Sequence, residues 1–292
     1  MQMARLYSDQ MVGYWRKGMR ELNFGDALSE LLYRELTKRS MRDRRAGRYK
    51  SDFDVVRLIG SVISDHQIEI DLTHSRAYRA PKIAFWCCGK RDPHPLNEEF
   101  RRHCVFLGAR GPLTRDALGL PAETPLGDPA LLLPLLYAPR IDPGLADKAI
   151  CVPHFLEPKT DRQLIEETGV DLVVRPNIAA SLDAIRATID QIVSARFALC
   201  GALHAAILRC AYDVPFGYLD SGYVDVPFKW DDFAASIGVG ARFASNLPQG
   251  EAFYAEDFAG KIRKPDLLAI LDCAPIIAPR ALRARVKALK KD

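Results

Sequence analysis

Apolar and polar positions along this chain alternate in a way that predicts helices and strands in turn. The segment NFGDALSELLYRELTKRS, residues 23–40, spaces its apolar residues as one face of a helix. These residues are Leu28, Leu31, Leu32 and Leu36. Asp26 is well placed to cap the start of this helix, just after a glycine.

Four apolar or β-branched runs follow, and each ends at glycine or at a polar turn. They are DVVRLIGSVIS (54–64), PKIAFWCCGK (81–90), RHCVFLGARG (102–111) and TPLGDPALLLP (124–134). Such runs predict strands of a parallel sheet. Between the last two runs, Pro112 suits the first position of a helix and Gly119 suits its end. This order of strand, turn and helix predicts the α/β class.

The segment from Tyr137 to Lys148 concentrates proline, glycine and charge, which predicts a domain boundary. We place one Rossmann-like domain at residues 1–140 and a second at residues 141–292. The second half repeats the alternation in AICVPHF (149–155), DLVVRP (171–176), IAASLDAIRATIDQIVSA (178–195), FALCGALHAAILRCAYD (197–213) and VPFGYL (214–219). Two such domains facing each other would hold a ligand in the cleft, at the carboxyl ends of the strands.

The overall composition is typical of a soluble globular protein, with 48% hydrophobic and 27% charged residues among 292. A net charge of +4 is too slight to indicate nucleic acid, and it suits a small anionic ligand as well. The start of the chain lacks an apolar signal segment, and no run of about eighteen apolar residues is present. We therefore expect a cytoplasmic protein that does not span a membrane.

The cysteines are odd in number and lie in apolar surroundings. They are Cys87, Cys88, Cys104, Cys151, Cys200, Cys210 and Cys273. None of them shows CxxC or Cys/His ligand spacing. We expect reduced, buried thiols and no metal site.

The basic tail RALRARVKALKKD, residues 280–292, carries Leu282, Val286 and Leu289 on one helical face. This pattern favours a solvated helix that packs back on the protein. The alternative is a peripheral contact with an anionic membrane surface at the inner membrane face.

Candidate chemistry begins at LNFGDALS, where a glycine and an acid stand at the mouth of a helix. Free backbone N–H groups and the helix dipole there favour an anion, which Asp26 would repel. Asp26 is therefore either a helix cap, which the local sequence favours, or a polar group that takes a proton or orders a sugar hydroxyl.

Two further residues follow predicted strands. Arg110 stands between small residues, where its guanidinium can project into a cleft and grip a phosphate or carboxylate. The alternative is a surface arginine in an ion pair. His154 ends the strand of CVPHF, beside Pro153, where reactive groups often gather. The alternative is a loop histidine that hydrogen-bonds a carbonyl.

His204 interrupts the apolar stretch GALHAAILRC, and its alanine neighbours leave room for a ligand. A histidine satisfied within the core would show the same pattern. Further on, Lys229 suits a phosphate and the face of Trp230 suits a sugar ring. The favoured alternative for Trp230 is a side chain that anchors a loop.

Together, NFGDALSELL, FLGARGPLTRDALGL, LGDPALLLP, VPHF and ALHAAILRCAYDVPFGYL resemble the polysaccharide pyruvyl transferase family, in the same order and over nearly the whole chain. The resemblance implies a two-domain fold similar to GT-B glycosyltransferases. It also implies transfer of pyruvate from phosphoenolpyruvate, as a ketal, to a sugar of a bacterial cell-surface polysaccharide or exopolysaccharide. The glycan acceptor of such enzymes can be lipid-linked.

By this resemblance, Asn23, Gly25 and Asp26 match the N-terminal motif of the family. Arg110 matches the Ala-Arg-Gly arginine, and His154 matches the Pro-His position. His204 matches the Leu-His position that handles phosphoenolpyruvate. The family commonly reads Ser-Leu-His-Gly, whereas this chain has Ala202 and Ala205 around its Leu-His pair.

The residue types agree with this chemistry. Phosphoenolpyruvate needs fixed cations, and ketal formation needs a proton donor for carbon and a base for two hydroxyls. We assign His204 to the donor side and Asp26 to the acceptor side, with no cofactor. One alternative is a glycosyltransferase that uses a nucleotide sugar, although GxGxxG and Walker motifs are absent. Another is a non-catalytic carbohydrate-binding protein, which Ala202 and Ala205 would suit.

Overall fold

The computed structural model describes residues 11–12, 16–17, 21–38, 53–74, 81–276 and 278–289. Their strands are β1 Met11–Val12, β2 Arg16–Lys17, β3 Glu21–Asn23, β4 Val55–Arg57, β5 Ile83–Phe85, β6 Cys104–Phe106, β7 Ala149–Val152, β8 Leu172–Val173, β9 Asn177–Ala179, β10 Phe197–Cys200, β11 Phe216–Leu219 and β12 Phe243–Ala244. Their α-helices are α1 Phe24–Thr37, α2 Asp65–His74, α3 Glu98–Arg101, α4 Pro112–Ala117, α5 Leu133–Leu136, α6 Asp161–Thr168, α7 Leu182–Ser194, α8 Leu203–Ala211, α9 Pro227–Ser236, α10 Leu247–Phe253, α11 Leu267–Asp272 and α12 Arg280–Leu289.

The first sheet has four parallel strands in the order β1-β4-β5-β6. Three of the four predicted runs supply β4, β5 and β6. The prediction of a strand in the fourth run, TPLGDPALLLP, is wrong. There Leu126 makes only an isolated bridge with Ala109, and the chain then enters a 3₁₀-helix, Pro129–Leu132. Three prolines in this run remove backbone donors that a strand would need.

The second sheet has five parallel strands in the order β12-β11-β10-β7-β8. The predicted strands of the second half all lie in this sheet. The adjacent strands β7 and β10 end together, because Val152 is paired with Cys200. The segments that leave these strands carry His154 and His204, so the two histidines come to the same edge of the sheet. Together the two sheets and their flanking helices confirm the α/β class with parallel sheets.

A small antiparallel sheet, in the order β2-β3-β9, connects the beginning of the chain to the second half. The backbone N–H of Phe24 also donates to the carbonyl of Pro176, at 2.8 Å. Helix α1 then packs against α7 and α8 with the apolar face predicted from the sequence, and Leu28, Leu31 and Leu32 are fully buried. Helix α1 is therefore positioned by the second half of the chain.

The ends of several helices follow from local sequence. Pro112 begins α4 and Gly119 follows its end with a positive φ of 59°, as predicted. The cap of α1, however, is Asn23 and not Asp26, because the Asn23 side chain accepts the Gly25 N–H at 3.1 Å. Asp26 lies within the first turn, so the prediction that it caps the helix is wrong.

The C-terminal helix α12 packs on the protein through two of its three predicted apolar residues. Leu282 and Val286 are buried against α5 and α11, whereas Leu289 is exposed. The tail residues 290–292 lie outside the described residues. No helix in the described part of the chain is both long and apolar enough to cross a bilayer.

Each of the seven cysteines lacks a disulfide, and five of them are buried, close to expectation. Burial raises the pKa of the Cys200 thiol to about 12, so this thiol stays protonated at neutral pH. The sulfur atoms of Cys87 and Cys273 lie 3.6 Å apart.

The domain boundary near residues 137–148 stays a prediction.

Candidate active site

A cavity of about 270 Å³ opens beyond the carboxyl ends of β7 and β10. Six of the eight residues singled out in the sequence line it, and they come from distant parts of the chain. They are Asn23, Gly25, Asp26, His154, His204 and Lys229. Arg110 and Trp230 do not line it. The location is the one expected for a ligand in an open α/β sheet.

The start of α1 forms one wall of the cavity. Gly25 is required there because a Cβ at this position would lie 2.3 Å from Nδ1 of His204. Asn23 fixes this turn through its cap of the Gly25 N–H. The carboxylate of Asp26, one residue on, approaches Gly60, where an added Cβ would lie 3.3 Å from its Oδ1.

His204 is the second residue of α8 and forms the adjacent part of the wall, in contact with Gly25, since β10 ends at Cys200 and the chain turns into the helix. Its side chain is 12% exposed, and Nε2 lies 3.7 Å from Oδ2 of the fully buried Asp128. The flanking Ala205 and Ala206 are buried, so the histidine is the polar group of an otherwise apolar turn. A histidine satisfied within the core does not describe this position, because the ring borders the cavity.

A cluster of charged side chains surrounds Asp225 at the cavity rim. Its carboxylate accepts a hydrogen bond from Lys229, in the first turn of α9. Nε2 of His154 and a guanidinium nitrogen of Arg91 each lie 3.4 Å from its oxygens. Because the backbone N–H of Leu156 donates to Nδ1 of His154 at 3.2 Å, neutral His154 carries its proton on Nε2, toward Asp225.

The protonation states in this cluster follow from burial and from the neighbouring charges. Burial alone would raise the pKa of Asp225, but hydrogen bonds and charge from His154 and Lys229 hold that pKa well below its usual range. Burial lowers the pKa of Lys229, and the Asp225 carboxylate opposes that effect. One ionised carboxylate thus faces Lys229, Arg91 and His154, an arrangement that favours an anionic ligand nearby.

Arg110 stands behind the cavity wall. It is fully buried, and its Nη1 donates to the hydroxyl of Ser61, which does line the cavity, at 2.7 Å. Its Nε lies 3.6 Å from Oδ2 of the buried Asp232. Close packing fixes it, because a Cβ at Gly89 would lie 2.0 Å from Nη2. The expected projection into the cleft is wrong; the ion-pair alternative describes Arg110 better, although the pair is buried and not on the surface.

Trp230 fixes α9 to the interior of the protein and is only 1% exposed. Its indole N–H donates to the backbone carbonyl of Asp225 at 3.1 Å. Its ring packs edge-on against Tyr218 and Phe243. The structure therefore agrees with the loop-anchoring interpretation, and the buried ring is not available to stack on a sugar.

Sequence reasoning missed the acidic partners of both histidines and the basic residue at the rim. Asp128 lies in LGDPALLLP, which was interpreted as a strand and as part of the family resemblance, with no role given to its aspartate. Asp225 lies four residues before Lys229, a spacing that signals an ion pair only within a helix, and here the helix begins after it. Arg91 follows GK at the end of the second run and carries no local signal.

The described residues contain no group of three or more His, Cys, Asp or Glu side chains arranged to hold a metal ion. Comparison with known protein families matches no family model, and comparison with curated proteins finds no similar sequence.

Proposed function

We propose that this protein is a pyruvyl transferase that moves pyruvate from phosphoenolpyruvate to a pair of hydroxyls on a bacterial surface-polysaccharide sugar. The observation that carries the proposal is the convergence on one cavity of the three motifs that resemble the family, represented by Asp26, His154 and His204. In this proposal the two parallel sheets belong to two GT-B-like domains, divided near residue 140. The cavity volume lies near the lower end of the range of about 300–1,000 Å³ typical of small-molecule sites.

The rim cluster supports binding of the donor. Phosphoenolpyruvate carries a phosphate and a carboxylate, and Lys229, Arg91 and His154 offer N–H donors at one side of the cavity. The hydroxyl of Ser61, which also lines the cavity, accepts a hydrogen bond from the buried Arg110 and is held in place by it. The first turn of α8 begins at Ala202 without a side-chain cap, which leaves backbone N–H groups to face an anion.

The reaction forms two carbon–oxygen bonds and breaks one. The first sugar hydroxyl adds to C2 of phosphoenolpyruvate while a proton reaches the methylene carbon, which becomes a methyl group. The second hydroxyl then displaces the phosphate at C2, and its proton leaves with inorganic phosphate. His204 supplies acid and base chemistry on the donor side, and Asp26 accepts a hydroxyl proton on the acceptor side.

The test is to incubate the purified protein with phosphoenolpyruvate and a panel of aryl and lipid-linked glycosides. The proposal requires release of inorganic phosphate together with a product heavier by one pyruvate ketal. Thermal-shift measurements decide the donor independently of the acceptor, since a bound ligand raises the melting temperature. Stabilisation by nucleoside diphosphates but not by phosphoenolpyruvate would favour a glycosyltransferase and refute the proposal.

A further inference from the structure

Asp128 lies behind His204 and is completely buried. Its Oδ1 caps the 3₁₀-helix Pro129–Leu132 by accepting the N–H of Ala130 at 3.0 Å. Its Oδ2 has no hydrogen-bond partner among the described residues, and the same is true of Nε2 of His204. These two atoms lie 3.7 Å apart, within the range of an ion pair if the ring is protonated.

An unpaired carboxylate oxygen in a protein interior is costly, so a buried aspartate of this kind needs a partner. A helix cap alone does not require burial. Asp142 performs the same local task for the 3₁₀-helix Pro143–Leu145, where its Oδ1 accepts the Gly144 N–H at 2.8 Å, and Asp142 is exposed. The cap therefore does not account for the burial of Asp128 or for its second oxygen.

The two nitrogens of the His204 ring have different surroundings. Nε2 faces the buried carboxylate, whereas Nδ1 faces Gly25 at the wall of the cavity. Whichever nitrogen points to Asp128 must carry a proton to be stabilised by it, because a carboxylate only accepts hydrogen bonds. The opposite nitrogen is then left for the cavity.

We propose that Asp128 is a positioning residue, which holds the Nε2 proton of His204 and so presents Nδ1 as the atom that exchanges protons with the substrate. When His204 is neutral, the lone pair of Nδ1 accepts a proton. When the ring is charged, Asp128 stabilises the imidazolium and Nδ1–H is the donor. The geometry alone supports the Nε2–H tautomer of His204. The role of Nδ1 in proton exchange rests on the proposed pyruvyl transfer.

Other titratable groups close to the pair do not compete for this role. Burial, and then the charge of Asp128, raises the pKa of the Cys88 thiol. The Cys87 thiol beside it has a raised pKa as well, mainly through its contact with Cys273 and through burial. Both thiols are protonated and uncharged at neutral pH. From α1, Asp26 lines the same cavity.

The first experiment is nitrogen-15 NMR of the histidine side chains, with the His204 signals assigned from the loss of peaks in His204→Gln. In the unmodified protein we expect neutral His204 as the Nε2–H tautomer. Finding it as the Nδ1–H tautomer would overturn the proposal without any variant of Asp128 and without any activity assay.

The second experiment uses Asp128→Asn. The Ala130 N–H requires the amide oxygen to remain at the capping position, so the amide NH₂ replaces Oδ2 in front of Nε2. A donor there makes Nε2 an acceptor, so the tautomer should reverse to Nδ1–H. We expect kcat to fall about 10²–10⁴-fold with a change in the KM for phosphoenolpyruvate of less than about threefold.

The matched control is Asp142→Asn, which alters the same kind of cap and should leave both the tautomer and kcat unchanged. A merely structural role for Asp128 would lower the melting temperature but would not reverse the tautomer, and an unchanged tautomer in Asp128→Asn refutes the proposal. If the unmodified protein shows the expected tautomer but no pyruvyl transfer, the proposed function fails while the positioning of His204 stands.

Discussion

The two histidines of the cavity follow neighbouring strands and both direct Nε2 toward an aspartate, yet their surroundings differ. His154 and Asp225 are each 15% exposed, and the Asp225 carboxylate also forms ion pairs with Lys229 and Arg91. His204 faces Asp128 in the interior, with no cation in contact with that pair among the described residues. The same pair of side-chain types thus occurs once in a charged rim and once in an apolar wall.

The difference suits the two histidines to different tasks, anion binding and proton transfer. A carboxylate surrounded by cations leaves a net positive rim that attracts and holds an anion but has little influence on proton transfer. A single buried carboxylate acts on one ring, where the low dielectric strengthens its effect on that ring. For the proposed reaction, we therefore expect the His154 side to bind the donor and the His204 side to transfer protons.

The largest effect should come from His204→Ala. Loss of the acid and base group should lower kcat for pyruvyl transfer about 10²–10⁴-fold while the melting temperature changes little, because the ring borders a cavity. Phosphate release and circular dichroism measure the two quantities. His94→Ala, at an exposed loop position, is the control and should retain full activity. Comparable activity in both variants would remove His204 from the mechanism.

Gly25→Ala tests whether His204 needs its present position. The new methyl group would lie 2.3 Å from Nδ1, so the ring must swing away from the wall. A displacement of this size should lower kcat about 10²-fold, and it should also lower the melting temperature because the methyl group would lie 2.8 Å from Cγ and 3.0 Å from Cβ of His204. Gly240→Ala is the matched control, since nothing lies within 4 Å of its added methyl group. Equal kinetics of the two alanine variants would contradict a role for the close approach.

Lys229→Met should weaken the binding of phosphoenolpyruvate, whereas His204→Ala and Gly25→Ala should lower kcat. Removal of one charged donor should raise the KM for phosphoenolpyruvate about tenfold to a hundredfold, with a smaller effect on kcat. Steady-state kinetics with varied phosphoenolpyruvate measures both constants. Lys261→Met, at an exposed position, should leave them unchanged. A fall in kcat with an unchanged KM would reverse the proposed division between the two histidines.

Asp225→Asn should have the smallest effect, on stability and its dependence on pH. The folded pKa of Asp225 is lowered, so its contribution is present above the unfolded value of about 3.9 and is lost as the pH falls toward the folded value. We expect the variant to lose about 2 kcal/mol of unfolding free energy at pH 7. This difference should shrink below about pH 4.

Urea denaturation at several pH values measures this difference. Asp147→Asn removes an exposed carboxylate and should show no such loss. A difference between the Asp225 variant and the unmodified protein that stays constant down to pH 2 would show that the carboxylate charge is not its source.

The parts of the fold that the sequence predicts are those set by local pattern. Unbroken apolar runs such as FALC and AICV become the central strands β10 and β7, since a strand buried on both faces needs apolar residues throughout. The helical spacing around Leu31 gives α1. The run TPLGDPALLLP misleads because its leucines are equally compatible with a buried helix, and its prolines decide the outcome.

The site is less predictable because its key relations join distant residues. The segments around Asp26, His154 and His204 each suggested chemistry, but nothing local showed that they share a cavity. Burial also decides what a residue can do. The sequence around Arg110 and Trp230 is compatible with a cleft, but both side chains are buried. Arg110 is enclosed with Asp232, and Trp230 packs against other aromatic rings. Asp128 and Asp225 become recognisable only once their partners are known.

The union of β3 and α1 with the second half has a practical consequence for building chimaeras. Residues 21–38 are covalently part of the first half, but they pair with β9 and pack against α7 and α8. A chimaera joined at residue 140 would separate this segment from the surface against which it packs, and the apolar residues on both sides would be exposed to water. A functional exchange of halves should carry residues 21–38 along with residues 141–292, as a two-segment graft.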